Sequence, residues 1–135
     1  MAAERSFVLD TSALLALRGD EPGADRVHAL LAQASKKRCR ILISFMSRME
    51  LFYCIWREEG ENAAREALRL LDSFAIDWIT CEPGILDRAA QIKSGARISV
   101  ADSWIGATAS VYGATLVHKD PEFEPLRDIP QEMLS

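Results

Sequence analysis

Short apolar runs alternate along the chain with longer segments in which apolar residues recur every three or four positions, and the two periods divide it into strands and helices. Phe7-Val8-Leu9 is the first run. It ends at Asp10 and gives way to Thr11-Ser12 and the helix formers Ala13 to Leu17, a strand-to-helix junction with an acid at the joint. Gly19 to Gly23 is turn-rich, after which Val27, Leu30, Leu31 and Ala34 mark a second helix running into the basic cluster Lys36-Lys37-Arg38 and Arg40. Ile41-Leu42-Ile43 reads as a buried strand ending at Ser44. The helix after it places Phe45, Met49, Phe52 and Trp56 on one face, with Met46 and Tyr53 beside them, and stops near Gly60. This aromatic stripe is expected in the core. Ala63 to Leu71 is a further amphipathic helix, and Ala75 to Ile79 alternates as a half-exposed strand. Pro83-Gly84 opens a helix striped by Ile85, Leu86, Ala89, Ala90 and Ile92, closing around Ser94-Gly95. Val100 to Val111 is small, apolar and helical, and Ala114 to Val117 is the last clear strand before Asp120-Pro121.

Strands thus alternate with helices over the whole length without a repeat or linker, which predicts the α/β class. The expected architecture is a three-layer α/β/α sandwich, its central sheet mainly parallel and covered on both faces. With 135 residues, 49% of them hydrophobic, the chain is expected to form a single domain over residues 1–135. The net charge of −4 excludes a protein that grips nucleic acid by bulk positive charge, leaving only local patches. Cys39, Cys54 and Cys81 are odd in number and form no C-x-x-C pair. With only His28 and His118 to help them, they argue against a zinc site or a disulfide framework. Met1 to Ser6, including Glu4 and Arg5, run directly into the first strand with no leader pattern, and no apolar run approaches the ~20 residues of a membrane span. A cytoplasmic protein with reduced thiols is expected.

In parallel sheets, ligands bind outside the carboxyl ends of the strands where the strand order reverses. Four acids fall near such ends: Asp10, Glu50, Asp102 and Asp120. Each has an ordinary structural explanation. Asp10 fits an N-cap, Ser47-x-x-Glu50 and Ser99-x-x-Asp102 fit capping boxes, and Asp120-Pro121 fits an N-cap with proline at N1. Together they suggest more, because two carboxylates ~4 Å apart repel by about 4 kcal/mol at an effective dielectric of 20. Raised pKa values or a bound cation must offset that. Hard divalent ions such as Mg2+ or Mn2+ take carboxylate oxygens, and the chemistry suited to them is phosphoryl transfer or phosphodiester hydrolysis.

Four blocks carry a family likeness: Val8-Leu9-Asp10-Thr11-Ser12-Ala13-Leu14; Glu50 in Ser47-Arg48-Met49-Glu50-Leu51; Ile98-Ser99-Val100-Ala101-Asp102-Ser103-Trp104-Ile105-Gly106-Ala107-Thr108-Ala109; and Leu116-Val117-His118-Lys119-Asp120-Pro121-Glu122-Phe123. Their order and the chain length resemble a PIN-domain ribonuclease of the VapC toxin type, from about residue 7 to about residue 127. The resemblance implies a PIN-like fold and a metal-dependent endoribonuclease. Its acidic pocket would be built from Asp10, Glu50, Asp102 and Asp120, with Mg2+, or Mn2+, as cofactor. Asp10 and Asp102 would hold the metal, with Glu50 and Asp120 as further ligands or orienters of an attacking water, and cleavage of RNA would leave a 5′-phosphate and a 3′-hydroxyl. It also implies a homodimer and a small VapB-type antitoxin that binds operator DNA. Ser12 takes a supporting place beside the metal site. The chain departs from the family pattern at His118, where Thr or Ser is usual, and Glu122 is a further candidate to share the role of Asp120.

Arg48, Lys93, Arg97 and Lys119 flank the acidic motifs and suit the positioning of substrate phosphates. The Lys36 to Arg40 cluster fits a solvated helix end. Tyr53 and Trp56 are the members of the aromatic stripe most suited to a homodimer or antitoxin surface, and His28 is expected on the surface. His118 would tune packing or hydrogen bonding at its strand end, or lend pH sensitivity. Two alternatives remain: a catalytically silent PIN-like module that binds an antitoxin, and a receiver-type phosphoacceptor domain. The second needs its phosphorylated Asp after a central strand in mid-chain, where this sequence instead has the helix carrying Glu50.

Overall fold

The computed structural model describes residues 5–135, so Met1 to Glu4, part of the segment read as lacking a leader, lie outside the described residues. Five strands, β1 (Arg5–Leu9), β2 (Cys39–Ser44), β3 (Asp77–Ile79), β4 (Thr115–His118) and β5 (Gln131–Met133), form one sheet in the order β3-β2-β1-β4-β5. Every neighbouring pair is parallel. The helices are α1 (Thr11–Arg18), α2 (Ala24–Ser35), α3 (Phe45–Glu59), α4 (Glu61–Asp72), α5 (Pro83–Gly95) and α6 (Val100–Tyr112).

The period-2 alternation of the strands sorts their side chains into two separate cores. Phe7, Leu9, Ile41, Ile43 and Val117 face one way and pack with buried residues of α1, α2, α3 and α4. Val8, Leu42 and Leu116 face the other way and pack with α5, α6 and Phe123, Leu126 and Ile129 from the segment after β4. This is the expected three-layer sandwich, and its sheet is parallel throughout.

The strand order excludes the receiver alternative, whose sheet runs 2-1-3-4-5. Here the order reverses at β1, which pairs with β2 on one edge and β4 on the other. The crevice at that switch point opens outside the carboxyl ends of β1 and β4, immediately followed by Asp10 and close to Asp120.

Three local expectations are corrected. The sequence reading missed β5, because three residues after Pro130 offer too short a run to show alternation and an edge strand has only one partner to satisfy. On α3 the core face is Ser47, Leu51 and Ile55 with Phe52 packed partly against it; Met49, expected in the core, is 49% exposed, while Tyr53 and Trp56, the stripe members suited to a surface, are 40% and 43% exposed. Finally, Ser47 and Glu50 do not form a capping box. The helix starts at Phe45 and Ser44 is its cap, accepting from the Met46 amide at 3.2 Å, so Ser47 is buried inside the first turn.

Small residues on α6 let the segment after β4 close tightly onto it. A Cβ at Gly106 would come within 2.9 Å of Leu126 Cδ1, so any larger residue there obliges the Leu126 side chain to shift.

Candidate functional site

Asp10 ends β1 and caps α1, its carboxylate accepting from the Ala13 amide at 2.8 Å and from Ser12 Oγ at 2.7 and 2.8 Å. It is only 2% exposed. Burial pushes its pKa from 3.8 up to about 7, against the pull of the Ala13 and Ser12 hydrogen bonds, and the nearby charges of Asp120 and Glu50 add to the rise. Ser12 Oγ also accepts from the Lys119 amide at 2.9 Å, which ties the ends of β1 and β4 together.

Glu50 projects from the second turn of α3 and accepts a 2.6 Å hydrogen bond from Thr11 Oγ1. Asp102 lies in the first turn of α6, which Ser99 caps by accepting from the Asp102 amide at 3.1 Å. The sequence suggested that Asp102 would complete that box. Glu122 supplies the reciprocal arm instead, accepting from the Ser99 amide at 2.9 Å from the far side of β4. Asp102 is thereby left facing Glu122. Burial first, then contact with Glu122 and the charge of Glu50, push its pKa from 3.8 up to about 8. Asp120 caps the turn Pro121–Phe123 as expected, accepting from the Glu122 amide at 2.9 Å.

The fold therefore brings Asp10, Glu50, Asp102 and Asp120 into one electrostatic neighbourhood and adds Glu122 to it. One carboxylate oxygen each from Asp102, Asp120 and Glu122 lie within 4.8 Å of one another. This donor set fits a hard divalent cation: three partly exposed carboxylates with two more acids beside them, of which Asp10 and Asp102 have pKa values raised by burial first and by neighbouring acids in addition. Zinc is poorly served. His118 is buried and both ring nitrogens are engaged, Nδ1 by the Asp120 amide at 3.1 Å and Nε2 by Gln131 Oε1 at 2.9 Å.

The four cations singled out by sequence have different surroundings. Arg48 is bound through both guanidinium nitrogens to Asp72, at 2.7 and 2.9 Å, and stacks over Trp78 at 4.6 Å. Lys119 Nζ donates to the Pro22 carbonyl at 2.9 Å and lies 3.7 Å from Glu21. Lys93 and Arg97 are exposed, and Arg97 shares a cleft with Glu122 and Arg127. Lys36, Lys37 and Arg38 are solvated as expected, while Arg40 pairs with Asp77. His28 is exposed, and no disulfide links the three cysteines. Thr11 and Gln131 were not assigned roles from sequence. Thr11 sat in full view within the first motif, whereas nothing in the sequence pointed to Gln131, whose partners are set by tertiary structure.

The PIN domain family model matches residues 7–128. Among solved structures, the chain is similar to VapBC2 from Rickettsia felis bound to a promoter DNA fragment, with a TM-score of 0.79 and 20% identity over 96% of this chain and 99% of that one. It is also similar to DNA-bound VapBC from Salmonella typhimurium, with a TM-score of 0.77 and 20% identity over 96% and 98% of the two chains. A third likeness is to VapC20 from Mycobacterium tuberculosis, described as a sarcin-ricin loop cleaving toxin, with a TM-score of 0.70 and 18% identity over 89% and 94%. No curated protein matches the sequence closely enough to be informative. At these identities the solved structures establish a shared fold, that of the VapC-type toxins, and with the family model spanning nearly the whole sequence, the chain belongs to the PIN-domain family.

Proposed function

We propose that this chain, a single PIN-like domain over residues 1–135, is a metal-dependent endoribonuclease and the toxin of a VapBC-type toxin-antitoxin module. The observation that carries the reading is the convergence of five carboxylates at the switch point of a parallel sheet, with Asp10 and Asp102 pushed up to about 7 and about 8. An enzyme that has to neutralise charge on a phosphodiester has a use for such a site. A structural cap does not.

In this reading Asp102, Asp120 and Glu122 would hold Mg2+ or Mn2+, with Asp10 and Glu50 as further ligands or orienters of the attacking water. The cation, when bound, supplies a lowered pKa for water and neutralises charge developing on the phosphate. Ser12 and Thr11 fix the carboxylates of Asp10 and Glu50, while His118 fixes the backbone at Asp120. Lys93 and Arg97 are free to meet substrate phosphates. Arg48 and Lys119 act mainly through the fold, because their charged ends are already engaged. Attack on phosphorus by water, with no side-chain nucleophile, would break the P–O3′ bond, the 3′-oxygen leaving as the hydroxyl, to give 5′-phosphate and 3′-hydroxyl ends. The likeness to VapBC complexes supports a VapB-type antitoxin as partner; a homodimeric toxin that acts on RNA in the cytoplasm is part of the same proposal. Among the described residues no helix is long and apolar enough to cross a membrane.

The test is cleavage of a cellular RNA pool with Mg2+, Mn2+ or EDTA by the wild type and by Asp10→Asn, with the fragment ends mapped. Metal-dependent cuts bearing 5′-phosphates, lost in the variant, are expected. Silence from folded, antitoxin-free protein in every condition favours the binding-module alternative.

A further inference from the structure

β5 is hydrogen-bonded into the loop that carries two of the acids. Gln131 is the link. Its Nε2 donates to the carbonyls of Phe123 and Leu126, both at 2.9 Å, and its Oε1 faces His118 Nε2 at 2.9 Å. Carbonyl oxygens only accept, so the orientation of the Gln131 amide is fixed: nitrogen toward the loop, oxygen toward the histidine. At the other edge of the ring, the Asp120 amide reaches Nδ1 at 3.1 Å, and an amide nitrogen only donates. Nδ1 must therefore be the bare nitrogen and Nε2 the protonated one, which is the tautomer that Gln131 Oε1 accepts from. The two ends agree on one arrangement.

The chain of bonds continues beyond the ring. The Asp120 carboxylate accepts from the Glu122 amide at 2.9 Å, and the Glu122 carboxylate accepts from the Ser99 amide at 2.9 Å at the start of α6, three residues before Asp102. With the Asp102 amide donating to Ser99 Oγ at 3.1 Å, the three members of the acidic trio are linked residue by residue back to Gln131. Packing secures the anchor: His118 is 1% exposed and its ring lies 5.1 Å from that of the fully buried Phe123.

We propose that His118 and Gln131 are positioning residues of the acidic centre, with the Gln131-held imidazole accepting the Asp120 amide proton and so fixing where the carboxylates of Asp120 and Glu122 meet that of Asp102. This rests on the divalent-cation reading given above. It makes β5, remote in sequence from every acid of the centre except Asp120 and Glu122, a working part of the site.

The test is titration of the EDTA-stripped full chain with Mn2+, followed by electron paramagnetic resonance, in the wild type, His118→Leu, His118→Asn and Gln131→Leu, with circular dichroism as the control for folding. His118→Leu keeps apolar bulk against Phe123 but removes the acceptor, whereas His118→Asn gives up bulk and keeps an acceptor, its Oδ1, where Nδ1 stands. If the acceptor matters, His118→Leu and Gln131→Leu bind Mn2+ roughly 10- to 100-fold more weakly, as expected when a partner of a metal ligand is lost, and His118→Asn largely recovers the affinity. A purely structural histidine gives the reverse order, which overturns the proposal. Nitrogen NMR of the wild type provides a readout that does not depend on any variant folding: it should show the Nε2-protonated tautomer, and an Nδ1-protonated ring overturns the proposal outright. Wild-type protein that binds Mn2+ with variants that bind it equally well sinks this inference alone. Wild-type protein that binds no Mn2+ sinks the cation reading and the inference with it.

Discussion

Thr11 Oγ1 donates to Glu50 Oε1 across 2.6 Å, so the residue next to the first acid in sequence holds the second in space. The contact joins the start of α1, after β1, to the second turn of α3, after β2, on the face of the sheet where both helices pack. It also fixes a carboxylate whose charge bears on both Asp10 and Asp102. Thr11→Val keeps the β-branched shape and removes only the donor. Folding should be nearly unaffected, by about 1 kcal/mol or less, while Mn2+ affinity and RNA cleavage fall about tenfold. Thermal melting and Mn2+ titration of the same preparation check this, and unchanged affinity would count against a shared centre.

The raised pKa values of Asp10 and Asp102 make stability depend on pH in a definite direction. In the metal-free folded chain these groups keep protons up to about 7 and about 8, whereas the unfolded chain releases them near 3.8. The folded state therefore binds more protons across that window, and stability falls as pH rises through it. As far as these two groups are concerned, metal-free protein should be most stable below pH 3.8 and lose stability from there up to about pH 8, where the slope from them ends. Asp10→Asn resembles the protonated carboxyl and should flatten part of the decline, being more stable than wild type at pH 8 in EDTA. Mn2+ should restore wild-type stability more at pH 8 than at pH 5, because it replaces protons that are harder to displace in acid. Melting curves of wild type and variant that move in parallel across this range would refute the assignment.

Much of the centre was legible in the sequence because strand ends and helix starts are local features. Asp10 follows the apolar run Phe7-Val8-Leu9, and Asp102 follows the cap Ser99; both positions hold in the structure. What the sequence hid depends on contacts made across the fold. Glu122 could be named as a candidate but not joined to Ser99, 23 positions away, because the pairing requires α6 and the turn after β4 to pack together. Gln131 lies on an edge strand too short to announce itself. On α3, periodicity located a helix with an apolar stripe but not which of two faces turned inward, since Ser47, Leu51 and Ile55 have the same helical spacing as the bulkier set.

Glu122 both closes the cap of α6 and raises the proton affinity of Asp102. Glu122→Gln separates these effects, because the amide oxygen still accepts from the Ser99 amide while the charge is gone. The Asp102 pKa should fall below about 8 while burial, the larger cause, still holds it above the ordinary carboxylate range, read by carbon NMR of the side-chain carboxyl. Glu122→Ala should show the same drop and in addition lose about 1 kcal/mol from the broken cap. An Asp102 pKa that stays put in both variants would mean that burial alone sustains it.

Arg48 and Arg97 are both basic and near the acidic motifs in sequence, but their surroundings predict opposite phenotypes. Arg48 is paired with Asp72 and stacked on Trp78, so Arg48→Ala should cost about 1 kcal/mol of stability and leave RNA affinity at a given salt nearly unchanged. Arg97 stands exposed and lines a cleft with Glu122, Glu124 and Arg127. Arg97→Ala should leave melting within about 0.5 kcal/mol and weaken RNA binding, with a shallower dependence on salt because one fewer counterion is released. Binding isotherms at several salt concentrations, set beside melting curves, distinguish the two residues.

Gly106 is where the packing of α6 and the geometry of the acids meet. A methyl group there would lie 2.9 Å from Leu126 Cδ1, and Leu126 is buried beneath the segment that begins at Pro121. Its carbonyl is also one of the two that Gln131 Nε2 binds. Gly106→Ala favours the helix itself by about 1 kcal/mol, but the overpacking should cost about 1 to 3 kcal/mol. The net change in stability is thus small or moderately unfavourable. The site should suffer more than the fold: displacing Leu126 shifts the carbonyl that anchors Gln131, and with it the bonds leading to Asp120 and Glu122. Mn2+ affinity should fall by more than the loss of stability accounts for. A second change, Leu126→Val, opens space for the new methyl and should restore much of the metal affinity even though it removes buried volume. If Gly106→Ala lowers melting temperature and metal affinity and Leu126→Val makes both worse, the variant acts by general destabilisation and not through the contact with Leu126.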